Sequence, residues 1–261
     1  HPSDRDDLLL AIRWANSSEV PWKILGNGSN LLVSDDGVRG LVLRPRKGLD
    51  ALRHDGSRLT AEAGLMLSAL ANGAAALALS GIEFLSGIPG TLGGAIIMNA
   101  GCHGHEIGNY VEEVECLEAE GSIGRYSRRE CRFRYRGSIF RGRPGVLLAA
   151  TLGLVPGDPA EIRKTSARYA SVRRKGQPTA LPSCGSVFQN PEGDFAGRLI
   201  EEAGLKGLRS GDIQISEKHA NFFVNLGRGS SADVLALVEK VEAEVERLFG
   251  IRLQREFEFW S

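Results

Sequence analysis

The chain has 261 residues, 42% of them hydrophobic, which is enough for one large domain or two to three smaller ones with buried cores. Its 32 Lys and Arg balance 32 Asp and Glu, which argues against the basic surplus on which general nucleic-acid binding rests. No apolar run reaches the roughly 18–20 residues that span a bilayer and no secretory signal is visible, so neither membrane insertion nor export is expected. The cysteines, Cys102, Cys116, Cys131 and Cys184, lack C-x-x-C spacing. They read as free thiols of a reducing cytoplasm, with no disulfide frame and no metal site.

In chain order, Ser3 and Asp6 resemble a capping box opening a helix through Asn16, with Leu8, Leu9, Ile12 and Ala15 on its apolar face. Short strands are expected at 23–25 and 31–33, around a first glycine loop, and at 41–43. Asp55-Gly56 marks a hairpin turn between 52–53 and 59–63. The Ala- and Leu-rich stretch 67–80 predicts a helix closed by Gly81. Strands are expected at 111–117 and 146–154, and Pro156-Gly157-Asp158-Pro159 reads as a linker. Helices follow at 160–174 and 195–203, then strands at 213–215 and 222–224. Ser230 and Ser231 precede a long helix whose stripe is Val234, Leu237, Val238, Val241, Val245 and Leu248. Gly250 ends it, and 252–259 reads as a closing strand. This order of elements predicts an α+β fold.

Two glycine loops carry the chemistry. The first is Gly26-Asn27-Gly28-Ser29-Asn30-Leu31, in which Asn27 is a residue that tolerates positive φ. The second is Gly87-Ile88-Pro89-Gly90-Thr91-Leu92-Gly93-Gly94, running on to Asn99-Ala100-Gly101. Two such loops with exposed backbone N–H groups can hold a pyrophosphate between them, although either alone reads equally well as a tight turn. Neither has G-x-G-x-x-G spacing, and no Walker lysine is present, so Rossmann and P-loop sites are excluded.

These loops resemble the two flavin loops of the UDP-N-acetylenolpyruvoylglucosamine reductase family. Further segments resemble that family in the same order: Tyr135-Arg136-Gly137-Ser138, Pro182-Ser183-Cys184-Gly185-Ser186-Val187-Phe188-Gln189-Asn190-Pro191, Ser216-Glu217-Lys218-His219-Ala220-Asn221-Phe222 and Leu253-Gln254-Arg255-Glu256-Phe257. The compact spacing from Tyr135 to Ser186 is similar to the shorter, type II form. The resemblance implies an FAD-binding α+β module of the vanillyl-alcohol-oxidase type over 1–157. A substrate-binding domain is implied over 158–261, its last strand, 251–260, returning to the FAD module. It also implies an opening segment, ahead of the position of His1, that helps hold FAD. Four positions depart from the family pattern. Asn27 stands for a glycine, Cys102-His103 for Ala-Tyr, Gln189 for a lysine and Gln254 for a glutamate.

The implied activity is reduction of an enolpyruvyl ether of a UDP-sugar to a lactyl ether, with non-covalent FAD and NADPH, in bacterial peptidoglycan synthesis and cell-wall biogenesis. The implied protein is cytoplasmic and monomeric. Cofactor contacts are implied for Gly26, Asn27, Gly28, Ser29, Asn30, Leu31, Gly87, Ile88, Pro89, Gly90, Thr91, Gly93, Gly94, Asn99 and Gly101. Substrate contacts are implied for Tyr135, Asn190, Lys218 and His219. Arg136 and Glu256 are implied to stabilise an enolate and Ser186 to donate a proton. An arginine cannot lose its charge and matches a carboxylate in two-point fashion, and a protonated carboxylic acid can hydrogen-bond an enolate. Arg136 also lies among eight arginines between Arg125 and Arg143, which by themselves read as a solvated face. Another flavoenzyme of the same fold, with Cys102 or His103 as a covalent tether, and a non-catalytic UDP-sugar-binding module are the alternatives.

Overall fold

The computed structural model describes residues 1–119 and 121–261. By packing it divides into two units: residues 1–27 with 40–172, and residues 28–39 with 173–261. Residues 158–172 therefore group with the first unit, and the segment carrying Ser29 to Leu31 groups with the second.

The first unit is built on a five-stranded antiparallel sheet in the order Ile123–Ser127, Val111–Glu118, Gly145–Gly153, Arg58–Glu62, Leu52–Asp55. The strand Gly145–Gly153 is buried on both faces. Leu147, Ala150 and Leu152 enter one apolar cluster, with Leu67, Leu70, Leu92 and Ile96 from two helices. Val146 and Leu148 enter another, with Leu8 and Ile12 of the first helix. Strict alternation would put 147, 149 and 151 on one face. A register shift between Leu147 and Ala149 adds one residue and resets the pleat, which explains why 147 and 150 share a cluster. A parallel pair, Trp22–Ile24 with Leu41–Leu43, completes this unit beside the first glycine loop.

The first helix runs Arg5–Ser17. Its N-cap is Asp4, whose carboxylate accepts the Asp7 N–H, and not Ser3, whose hydroxyl donates to Asp7 instead. The Ala-rich helix stops at Ala76, short of the expected Ser80. Ala78 takes φ +56°, which breaks the helical run, and Leu79–Ser80 then pairs with Val155–Pro156. A helix not expected from the sequence, Leu92–Met98, follows the second glycine loop.

The second unit packs the long helix Ser231–Phe249 on a small antiparallel sheet, Arg209–Ser210, Ile213–Ile215 and Phe223–Asn225. Val234, Leu237, Val238, Val241 and Val245 of the predicted stripe are buried there, with Phe188, Leu199 and Ile215, whereas Leu248 is exposed. Ser230 and Asp233 form a reciprocal cap at the start of this helix, and Gly250 closes it in the left-handed region at φ +70°. Asp35 adds its carboxylate to the same terminus, accepting the Ser231 N–H at 2.9 Å. The closing strand is shorter than expected, Glu258–Trp260, and it pairs in parallel with Leu31–Val33. Before it, only Arg255 is bridged, to Phe188.

Candidate active site

In the first unit the second glycine loop is stitched down by its backbone. The Gly90 carbonyl accepts the Leu67 N–H at 2.9 Å, the Leu92 N–H donates to Leu65 O at 2.9 Å, and the Gly93 N–H donates to Ala63 O at 2.8 Å. These bonds hold a seven-residue helix whose Gly93-Gly94 start has little helix propensity of its own. Gly87 ends a short 3-10 turn, and Ile88 N–H closes it onto Leu85 O.

The first loop meets the second at one point. A Cβ on Gly26 would lie 2.8 Å from Thr91 Oγ1, so the first loop packs against the Thr91 side chain only because Gly26 has none. Gly94 is exposed, and a Cβ there would touch nothing but Thr91 Oγ1, at 3.7 Å. Two backbone loops in contact, with bare glycine beside them, fit a pyrophosphate-bridged dinucleotide such as FAD. The left-handed position of the first loop is Gly28, φ +74°, and not Asn27. Gly101 has a different constraint, since a side chain there would collide with the His105 carbonyl across a small hairpin. We expect Gly26→Val to push the loops apart and lower FAD occupancy by about tenfold or more, read from flavin absorbance of the folded variant.

Tyr135 and Arg136 sit in a tight turn closed by two backbone bonds, Arg134 N–H to Gly137 O at 2.9 Å and Gly137 N–H to Arg134 O at 3.0 Å. Arg136 has φ +53°, a costly conformation for a non-glycine residue, of order 1–3 kcal/mol. Its guanidinium lies 4.9 Å from the Tyr135 ring centroid. Cys102 Sγ donates to Phe84 O at 3.4 Å, and His103 stacks on Tyr169 with centroids 4.6 Å apart.

In the second unit three remote segments converge. The Glu256 N–H donates to Val187 O at 2.8 Å, which sets the Glu256 backbone opposite Val187, the residue after Ser186. Ser186 is itself bridged to Phe222. Asn30 then ties on the first loop: its Nδ2 donates to Glu256 O at 3.2 Å and its carbonyl accepts the Glu258 N–H at 3.0 Å. Gly185 has φ +83°, and a Cβ on it would lie 3.0 Å from Ser29 O. Burial pushes the neighbouring Cys184 thiol up to about 11, so it stays protonated and is no nucleophile.

The implied substrate residues of this unit have protein partners. Asn190 Oδ1 accepts the Ala196 N–H at 3.1 Å, and Lys218 Nζ donates to Arg174 O at 2.6 Å. His219 packs edge-on to Phe222 and accepts the Asn221 N–H at Nδ1, at 3.3 Å. The sequence reading missed Asn221. Its buried carboxamide pairs with both backbone groups of Phe188, accepting N–H at 2.9 Å and donating to the carbonyl at 2.7 Å. That pairing anchors the strand two residues beyond Ser186.

Burial, with Lys206 adding to it, lowers the His219 pKa. The neutral ring is therefore favoured in the fold. On acidification the unfolded chain takes up the proton first, near its own pKa of about 6.5. Stability is full above that pH and is lost as pH falls toward the lower folded value. The melting temperature of the parent should drop more steeply as pH falls below about 6.5 than that of His219→Gln.

Comparison with known proteins agrees with this geometry. An FAD binding domain family matches residues 1–127. With the paired glycine loops, that makes the chain an FAD-dependent oxidoreductase. The UDP-N-acetylenolpyruvoylglucosamine reductase C-terminal domain matches residues 177–260. UDP-N-acetylenolpyruvoylglucosamine reductase 2 of Symbiobacterium thermophilum is 44% identical over 99% of this chain and 84% of its own length. The reductase of Rubrobacter xylanophilus is 44% identical over 98% of this chain and 86% of its own length. The crystal structure of UDP-N-acetylenolpyruvylglucosamine reductase from Thermus caldophilus superimposes with a TM-score of 0.82 at 38% identity, covering 99% of this chain and 90% of that one. The chain belongs to the UDP-N-acetylenolpyruvoylglucosamine reductase family, flavoenzymes of peptidoglycan synthesis. Among the described residues, no helix is long and apolar enough to cross a membrane.

Proposed function

We propose how the residues of this reductase divide its work. The chain reduces UDP-N-acetylglucosamine enolpyruvate to UDP-N-acetylmuramate. The chemistry that bound FAD supplies is hydride transfer, from NADPH to the methylene carbon of the enolpyruvyl group. Negative charge then develops on the adjacent carbon and its carboxylate. Arg136 holds that carboxylate through its two-pronged guanidinium, and Glu256, as the acid, hydrogen-bonds the developing enolate. The Ser186 hydroxyl passes its proton to the carbon, which completes the lactyl ether, and takes one back from solvent. Tyr135, Asn190, Lys218 and His219 are the proposed contacts of the UDP-sugar. Functionally, 1–157 is the FAD-binding domain, which also lends Tyr135 and Arg136 to the substrate, and 158–261 is the substrate-binding domain. The protein works as a cytoplasmic monomer and binds no nucleic acid.

The observation that carries this reading is the ladder bond from Glu256 N–H to Val187 O. It ties the backbone of the proposed acid to the residue next to the proposed proton donor. The test is the visible spectrum. The purified protein should be yellow, bleach with NADPH, and recover its colour when the UDP-enolpyruvyl sugar is added without oxygen. Acid precipitation should release the flavin. A colourless protein that still binds UDP would instead be a binding module, and recovery with oxygen alone would make it an oxidase.

A further inference from the structure

The turn that carries Arg136 hangs from the helix after the second glycine loop by two side chains. Asn99 is the left-handed cap of that helix, φ +45°, and only 1% exposed. Its Nδ2 donates to Arg134 O at 3.0 Å and to Glu106 Oε2 at 2.7 Å, and its Oδ1 accepts the Gly108 N–H at 2.9 Å. Ser138, also buried, donates from Oγ to Ile97 O at 3.0 Å. A carboxamide has two donor hydrogens, and both of Asn99's are committed within the protein. The Arg134 carbonyl it holds is also the acceptor that closes the turn around Arg136.

We propose that Asn99 is a positioning residue for Arg136 and makes no contact with the cofactor. It fixes the Arg134 carbonyl, and so the direction in which the strained turn presents the guanidinium. The catalytic part of this inference rests on the reading in which Arg136 holds the substrate carboxylate. The positioning part rests only on the hydrogen bonds.

Two variants separate the possibilities. Asn99→Asp keeps an acceptor for Gly108 but loses the donor to Arg134. Asn99→Gly removes the side chain and is at ease in the left-handed region, so it folds even where the first variant does not. Glu106→Gln, which leaves the Arg134 bond in place, is the control. Amide hydrogen exchange at Arg134 and Gly137 should speed up by about tenfold or more in both Asn99 variants and stay near the parent rate in Glu106→Gln. FAD content and flavin reduction by NADPH should match the parent. Reoxidation by saturating substrate should slow by about tenfold or more, a fall in rate rather than in substrate affinity alone. Loss of FAD with unchanged exchange at Arg134 and Gly137 would overturn the proposal and make Asn99 a cofactor contact. Unchanged exchange with full FAD content would also overturn it. Faster exchange, with neither Asn99→Gly nor Arg136→Lys slowing reoxidation, would uphold the positioning and remove Arg136 from the chemistry.

Discussion

Arg136→Lys is expected to slow reoxidation of the reduced flavin by the enolpyruvyl substrate by about 10- to 100-fold, while reduction by NADPH runs near the parent rate. Lysine keeps the positive charge but offers a compact ammonium in place of a planar fork, so one of two parallel hydrogen bonds to the carboxylate is lost. A hydrogen bond to a charged group contributes about 1.5–3 kcal/mol, and each ~1.4 kcal/mol of barrier is a factor of ten. The turn sharpens the expectation. Its backbone is strained at φ +53°, and Asn99 and Ser138 hold it to the preceding helix. The backbone beneath the side chain is held in place, so the turn itself cannot shift to compensate for a lost donor. Stopped-flow flavin absorbance measures each half-reaction separately. Equal slowing of both halves would mean that Arg136 serves the flavin, and no slowing would remove it from the site.

Elements with a strong local signal were legible in the sequence. The strands Leu41–Leu43 and Ile213–Ile215 fall where expected, and the helix Ser231–Phe249 shows both its cap and its stripe. The helix Leu92–Met98 was not legible, because its glycine-rich start is held by tertiary bonds to Ala63 and Leu65 and not by propensity. The preceding helix stops early for a similar reason: Ala78 turns to φ +56° and Leu79–Ser80 pairs with Val155–Pro156, which outweighs the helix preference of the stretch. In the candidate site, the motifs single out Ser186, Glu256 and Arg136 as candidates but not what orients them. Asn221 reaches the Phe188 backbone 33 residues away, and Asn99 reaches Arg134 35 residues away. Side-chain-to-backbone ties across such separations leave no periodic trace. Asn99 stood within a recognisable motif and still gave no sign that its carboxamide faces protein.

The largest single effect is expected from Ser186→Ala. In the proposed division of work the hydroxyl is asked for one thing, a proton delivered to the carbon beside the substrate carboxylate. Reduction by NADPH makes no such demand and should be unchanged, as should FAD content. Substrate-dependent turnover should fall by about 10²–10⁴, the range for a positioned general acid. At ~1.4 kcal/mol per decade that is roughly 3–5 kcal/mol of barrier. A structural explanation for such a loss is weak here, because the strand does not depend on the Ser186 side chain. Its neighbours are held by Glu256 N–H on Val187 O and by the Asn221 carboxamide on both backbone groups of Phe188. Alanine leaves all three bonds in place, and Gly185, at φ +83°, still sets the turn ahead of it. Ser186→Cys restores a proton donor of different size and acidity, so it should recover part of the rate with a shifted pH profile. If Ser186→Ala is reoxidised by substrate at the parent rate and yields the lactyl ether, the proton comes from another group. Glu256, one ladder position away, is then the donor to test, by Glu256→Gln in the same half-reaction.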